Sequence, residues 1–167
     1  MGINGEVSLE NMTVDATDLN TSWNALILDL EEGSSTLVLA DNVTVLAPED
    51  QWAVASPMLM GDDFTVIIDP TSKIVVSGEN GVAILAQGWA GSTVNVVLNG
   101  SADDCFDLSG GAVAFDFCGN DGDTLTVNMF VKSDSDMAQY AGILRASDVT
   151  VNWYVNGTLA TTQHFAA

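Results

Sequence analysis

Short runs in which apolar and polar residues alternate recur along the whole chain. In Val149–Val155, apolar side chains alternate with Thr150, Asn152 and Tyr154. Successive side chains of a strand point to opposite faces, so this run predicts a strand with one buried and one solvated face. Related patterns predict strands over Glu6–Val14, Trp23–Leu30, Thr36–Ala40, Val43–Ala47, Phe64–Asp69, Lys73–Ser77, Val82–Ala86, Thr93–Leu98, Cys105–Leu108, Ala112–Phe117 and Thr124–Lys132.

Turn residues indicate how neighbouring runs connect. Asn156-Gly157 favours a two-residue hairpin loop, and Asp41-Asn42 predicts a second hairpin between the runs that flank it. Counting outward from Asn156-Gly157 pairs Val155 with Thr158, Trp153 with Ala160, Val151 with Thr162 and Val149 with His164.

Two segments break the alternation. Pro48–Asp63 has no clean period, and we predict a long ordered loop there. Asp134–Ala146 has apolar residues at helical spacing, with Ser133 or Ser135 as the N-cap and Arg145 near the end of the helix. The elements together predict one all-β domain over residues 1–167, a β-sandwich or jelly-roll-like barrel. It would have about 8–12 short antiparallel strands and one short helix near 134–146, with no internal repeat and no linker.

The charge is the most unusual feature of the composition. The chain has 23 acidic residues and only Lys73, Lys132 and Arg145 as bases, which gives a net charge of −20. Such a surface repels phosphate backbones and anionic lipid, so it argues against nucleic acid as a partner. An Asp-rich, Lys-poor chain is similar to proteins of salt-loving microbes, whose self-repulsion is screened in concentrated salt. The alternative is an acidic surface protein with no salt requirement.

The first residues have neither the basic start nor the apolar core of a signal peptide. No apolar run approaches the ~20 residues that a membrane helix needs. We therefore expect no export by the usual route and no direct membrane insertion, unless a leader was removed before the first residue.

Cys105 and Cys118 bracket the Gly110-Gly111 turn, which places them opposite each other in a hairpin. A disulfide there would close a ~14-residue loop and stabilise the fold by about 3 kcal/mol in the chain-entropy model. The alternative is a pair of buried thiols.

Acidic residues crowd the same hairpin, among them Asp103, Asp104, Asp121 and Asp123. Their oxygens suit Ca²⁺ or another structural cation, but the spacing lacks the terminal Glu of a calcium-binding loop. A solvated acidic loop is the alternative, and we expect no other cofactor.

Five Asn-x-Ser/Thr sequons predict either surface glycosylation or simply good turn and strand residues. They lie at Asn11, Asn20, Asn42, Asn99 and Asn156. Trp52, Met58 and Met60 lie in the predicted loop and form a candidate contact with a protein partner, because interfaces favour Trp and Met.

Catalytic motifs are missing from the sequence. His164 is the single histidine, no motif ties it to a Ser or Cys, and no phosphate-binding glycine loop is present. We therefore expect no enzyme activity.

In length, acid excess, strand density and lack of a leader, the chain resembles small capsid subunits of salt-loving archaeal viruses. That resemblance implies an eight-stranded jelly roll and a non-catalytic subunit that assembles with copies of itself and other structural subunits. It also implies a virion assembled in the host cytoplasm. Alternatives are a virion tail-tube or decoration subunit, an extracellular pilus, surface-layer or adhesion domain, and an acid-rich module that binds Ca²⁺ or carbohydrate.

Overall fold

A computed structural model describes residues 5–18, 24–27, 34–59, 62–120 and 125–167. Strands account for 61% of the structure and helices for 8%, so the all-β prediction is confirmed. The strands are β1 Glu6–Glu10, β2 Thr13–Asp15, β3 Asn24–Ile27, β4 Ser35–Ala40, β5 Thr44–Leu46, β6 Trp52–Leu59, β7 Asp63–Ile68, β8 Lys73–Ser77, β9 Val82–Gly88, β10 Thr93–Leu98, β11 Phe106–Ser109, β12 Val113–Gly119, β13 Leu125–Val131, β14 Leu144–Ser147, β15 Val149–Val155 and β16 Thr158–Phe165. The helices are α1 Ala102–Cys105 and α2 Asp134–Ala141.

The strands wind into a parallel β-solenoid of about four turns. Sheet 1 has the order β1-β4-β7-β10-β13-β15-β16, sheet 2 the order β11-β8-β5-β2, and sheet 3 the order β14-β12-β9-β6-β3. Every pairing between described strands is parallel except that of β15 with β16. The predicted antiparallel sandwich or jelly roll, and the barrel implied by the resemblance, are therefore wrong.

Each coil passes through the three sheets in turn and returns to sheet 1 one strand further along. Glu6, Thr36, Thr65 and Asn95 are successive partners in sheet 1, so the early coils repeat every 29 or 30 residues. The expectation of no internal repeat is therefore wrong. Such a repeat unit cannot bury its apolar face alone and is stabilised by stacking on its neighbours.

The core forms where the inward side chains of successive coils stack. One such row in sheet 1 runs through Leu37, Val66, Val96, Met129 and Trp153, all of which are fully buried. The alternation of apolar and polar residues therefore predicted the buried face of these strands correctly. Burial of each such side chain contributes about 1.5–3 kcal/mol relative to exposure.

The corners between sheets use the residues that the sequence assigned to hairpin turns. Asp41 and Asn42 both have positive φ, but β4 and β5 lie in different sheets, so the predicted hairpin is a corner of the coil. At the next corner, Gly110 has φ +67° and packs against the backbone of Gly78. A Cβ on Gly110 would lie 2.9 Å from the Gly78 nitrogen, so glycine allows the coils to approach there.

The predicted loop over Pro48–Asp63 is also wrong, because it contains β6. Ala53, Val54 and Ala55 of this strand are all fully buried. Ala53 and Val54 pack in the main core, whereas Ala55 belongs to a second apolar cluster with Val82 and Leu85. A strand covered on both faces loses the alternation by which strands are recognised, which explains the missing period.

The last coil departs from the others. Its chain passes from β13 to β14 through α2, at the point where the earlier coils enter sheet 2. Ser133 caps α2 as predicted, and its hydroxyl accepts the Asp136 N–H at 3.1 Å. The helix ends at Ala141 rather than Ala146, because Arg145 already lies in β14.

Candidate assembly interface at the edge of sheet 1

The predicted Asn156-Gly157 hairpin is confirmed and forms the last part of sheet 1. Val155 lies opposite Thr158 as predicted, but a bulge beside Trp153 shifts the remaining pairs by one residue. Trp153 therefore faces Thr161 rather than Ala160. The buried face of β15 is correct up to Trp153, whereas Val155 is half-buried.

One hydrogen bond fixes the direction of the backbone groups in β15. The Asn156 N–H donates to the Val131 carbonyl at 3.0 Å. Backbone N–H and C=O groups alternate in direction along a strand. The backbone groups of even-numbered residues of β15 therefore point toward β13, and those of odd-numbered residues point toward β16. Val151 therefore exchanges the hydrogen bonds of its pair with Gln163, its partner in β16.

Thr162 and His164 flank Gln163, so their backbone N–H and C=O groups point away from β15. Sheet 1 ends at β16, and no strand among the described residues pairs with this outer edge. Seven of the eight residues of β16 are exposed, and Phe165 is half-buried. A sheet edge of this kind is a template for pairing with another chain.

The hairpin also lacks acidic side chains, lysine and arginine. Residues 149–167 contain no Asp, Glu, Lys or Arg, although the whole chain carries −20. Leu159 is 51% exposed and is one of two exposed large apolar side chains among the described residues, with Met12. Proteins that protect an edge strand place charges, proline or a covering segment on it. In the described part of the chain β16 has none of these three, and its one protective device is the bulge beside Trp153, which leaves Thr161–Phe165 regular.

A polar ladder on the solvent face of sheet 1 holds this edge in place. The Asn152 amide donates to Asn128 and the Asn128 amide donates to Asn95, each at 3.0 Å. The ladder extends at 3.3 Å to Thr65, and at its other end the Thr162 hydroxyl donates to Asn152 at 2.9 Å. Each rung links neighbouring strands, so β16 is fixed to the solenoid by side chains as well as by its backbone.

Beside the ladder runs a row of half-buried apolar residues. The rings of Phe130 and Tyr154 stack at 4.7 Å with an interplanar angle of 16°. A surface cleft of about 290 Å³ lies next to Phe130 and includes Lys132, Asn99 and Asn156 in its lining. The stacking covers one face of each ring, so the pair packs as part of the solvent face of sheet 1.

The predicted cation ligands are only partly brought together. Asp103 and Asp104 are exposed on α1, whereas Asp121 and Asp123 lie outside the described residues. Asp104 completes a capping box with Ser101, and these hydrogen bonds lower the pKa of its carboxyl group. No group of three or more potential metal ligands occurs in the described part of the chain.

Both predicted disulfide partners are free cysteines. They do not lie opposite each other, because Cys105 ends α1 whereas Cys118 lies in β12, a strand of sheet 3 that pairs with β9 and β14. Cys105 is buried, and burial raises the pKa of its thiol. Cys118 is half-buried, and its sulfur lies 3.5 Å from the Ser147 hydroxyl. Of the two alternatives for these residues, buried thiols fit Cys105.

The predicted contact residues and sequons are spread over the fold. Trp52 is half-buried against the second apolar cluster, the side chain of Met58 is not described, and Met60 lies outside the described residues. Among the sequons, Asn20 also lies outside them, and Asn99 is half-buried beside the cleft. Asn11, Asn42 and Asn156 are exposed and have positive φ.

Short repeats in the sequence mark the polar ladder that supports the candidate interface and one corner of the coil. Thr-Val-Asn occurs at 93–95, 126–128 and 150–152, and these three segments lie side by side in sheet 1. Asn-x-Thr-Val at 11–14 and 42–45 likewise marks one corner in successive coils. Two of the five sequons, at Asn11 and Asn42, therefore arise from the coil repeat.

Comparison with protein-family models, curated proteins and solved structures gives no match to this chain. No helix in the described ranges has the length and apolar character needed to cross a membrane. The geometry of the solenoid is therefore the basis for the functional argument.

Proposed function

We propose that this protein is a non-catalytic structural subunit that assembles with copies of itself. The observation that supports this role is the uncharged, exposed strand β16 on a chain with a net charge of −20. Like charges oppose association over most of the surface, so an uncharged strand with open hydrogen-bonding groups is the surface least opposed to contact with a second copy.

The setting we propose is a virion, as a tail or decoration subunit rather than a jelly-roll shell. The acidic composition favours concentrated salt, where screening reduces repulsion between copies. The repetitive fold suits a structural role because every coil is stabilised by the next.

Native mass measured by light scattering tests the proposal. At ~1 M salt, where the Debye length is about 3 Å, we expect a particle of at least two chains. At low salt we expect a smaller mass or loss of the fold. A protein that is strictly monomeric at every salt concentration contradicts the proposal.

A second candidate is an extracellular or cell-surface domain that is glycosylated. Asn11, Asn42 and Asn156 favour it, since all three are exposed sequon asparagines at tight turns. The Asn42 amide, however, donates to the Asn11 side chain at 3.3 Å, so a glycan on Asn42 would disturb that contact. The intact mass of the protein from its native source would reveal glycans, and an unmodified mass contradicts this candidate.

A further inference from the structure

We propose that the partner of β16 is the β16 strand of a second copy, paired antiparallel across a twofold axis beside Gln163. This inference rests on the proposed function and names the surface that it uses. The seven strands of sheet 1 would then continue into seven strands of the second copy, giving one sheet of fourteen.

The bulge fixes where the axis lies. It interrupts the regular pairing beside Trp153, so the undisturbed part of β16 runs from Thr161 to Phe165. Gln163 is the middle of that segment. Thr162 and His164 have outward backbone groups, so a register that places Thr162 opposite His164 of the second copy pairs these groups in both directions and keeps the contact within the regular segment.

Charge favours this partner over the other end of the solenoid. The outer edge of β1 has the exposed carboxylates Glu6 and Glu10, whereas β16 has no acid. Charged residues on an edge strand discourage pairing. Pairing β16 with itself joins two uncharged edges and leaves both acidic β1 ends far apart.

The topology also favours a closed pair. A twofold contact uses the same surface on both copies and is complete with two chains, whereas pairing of β16 with β1 is head-to-tail and generates open filaments. The two arrangements therefore predict different masses, a discrete dimer or a series of species that grows with concentration.

Cysteine cross-linking in a Cys118→Ser background tests the geometry directly. Cys105 is fully buried and can remain. In this background Gln163→Cys should oxidise to a covalent dimer, because residues facing each other across a strand pair lie within the Cα distance that a disulfide needs, about 4.4–6.8 Å. The matched control Ser8→Cys, exposed on β1, should form no disulfide-linked dimer.

Two substitutions of Thr162 separate the backbone from the side chain. Thr162→Pro removes an N–H that faces the edge, and proline is tolerated at such positions of an edge strand. We expect it to raise the dimer dissociation constant by tenfold or more, as loss of paired backbone hydrogen bonds requires. Thr162→Ala removes only the hydroxyl that contacts Asn152 and should leave the dissociation constant within about threefold.

The possible outcomes separate the two proposals. If Thr162→Pro still assembles and Gln163→Cys does not cross-link, the β16 interface is wrong while self-assembly stands. Cross-links between Ser8→Cys and Gln163→Cys proteins in a mixture would show head-to-tail pairing and also overturn the twofold contact. A wild-type chain that is monomeric at all salt concentrations overturns both proposals. If Thr162→Pro fails to fold, the cross-linking pair still decides.

Discussion

The two ends of the solenoid are built from the same strand pattern but differ in charge, length and packing. The first 63 residues contain 12 of the 23 acids and none of the three bases, whereas residues 149–167 contain no acid. β1 has five residues and, among the described strands, pairs with β4 alone, while the hairpin β15–β16 has strands of seven and eight residues joined by a tight turn. In the proposed assembly, the acidic end keeps copies apart and the neutral end brings them together.

The largest effect should come from removing salt. At ~0.1 M ionic strength the Debye length rises to about 10 Å, and the carboxylates of the first two coils repel one another. We expect the whole chain to lose its fold at this salt concentration, with β1 and β4 exchanging their amide hydrogens before β13 and β15. Circular dichroism and hydrogen exchange at decreasing salt would measure this. An unchanged spectrum at ~0.1 M would remove the case for salt adaptation.

The second largest effect should come from removing a core side chain at each end of the solenoid. Trp153 is fully buried and its indole N–H donates to Gln163 at 3.0 Å, whereas Leu9 in β1 is 9% exposed. Trp153→Ala should lower the free energy of unfolding by about 3–5 kcal/mol, and Leu9→Ala by about 2 kcal/mol or less because its site is partly open. Denaturant titration in high salt would compare them, and equal losses would contradict the contrast.

The polar ladder should give a smaller difference. Asn128 both donates to Asn95 and accepts from Asn152, so Asn128→Ala removes two hydrogen bonds and should destabilise by about 1–2 kcal/mol. Thr36 lies in the same row near the acidic end, and for Thr36→Ala we expect less than about 0.5 kcal/mol. The same titration measures both, and a larger loss at Thr36 would show that the ladder does not stabilise the neutral end.

The smallest effect concerns the buried thiol of Cys105. Burial raises its pKa in the folded state, so the unfolded chain releases this proton at lower pH. Its contribution to stability is therefore complete below the unfolded pKa, at about 8.5, and falls as the pH rises above that value. Cys105→Ala should remove this part of the decrease in unfolding free energy at alkaline pH. In the native protein Cys105 should resist alkylation. Mass spectrometry that finds two alkylated thiols only after denaturation would support this prediction.

The sequence predicted strands well and their partners poorly, for a physical reason. Alternation reports which face of a strand is buried, but a parallel coil and an antiparallel sandwich bury the same face. Asp41-Asn42 and Gly110-Gly111 supply positive φ, which serves a solenoid corner as well as a hairpin turn. Only Asn156-Gly157 predicted its connection correctly.

The repeat itself was obscured by unequal coil lengths. Asn95 and Asn128 are 33 residues apart and enclose α1, whereas Asn128 and Asn152 are 24 apart because that coil has no strand in sheet 2. A search at fixed period misses such spacing, although the three Thr-Val-Asn segments mark it. The candidate interface could be predicted only as a hairpin, since its outer edge depends on the order of strands in sheet 1.

The helix α2 sets the limit of the solenoid. It occupies the position in the last coil where a fifth strand of sheet 2 would otherwise lie. Sheet 2 therefore stops at β11, whereas sheet 1 continues for three more strands. A second molecule therefore cannot continue all three sheets as the next coil, and the surface open to it is the β16 edge of sheet 1. The α2 segment therefore ends regular stacking, and the proposed contact through β16 extends sheet 1 along the solenoid axis once and then closes.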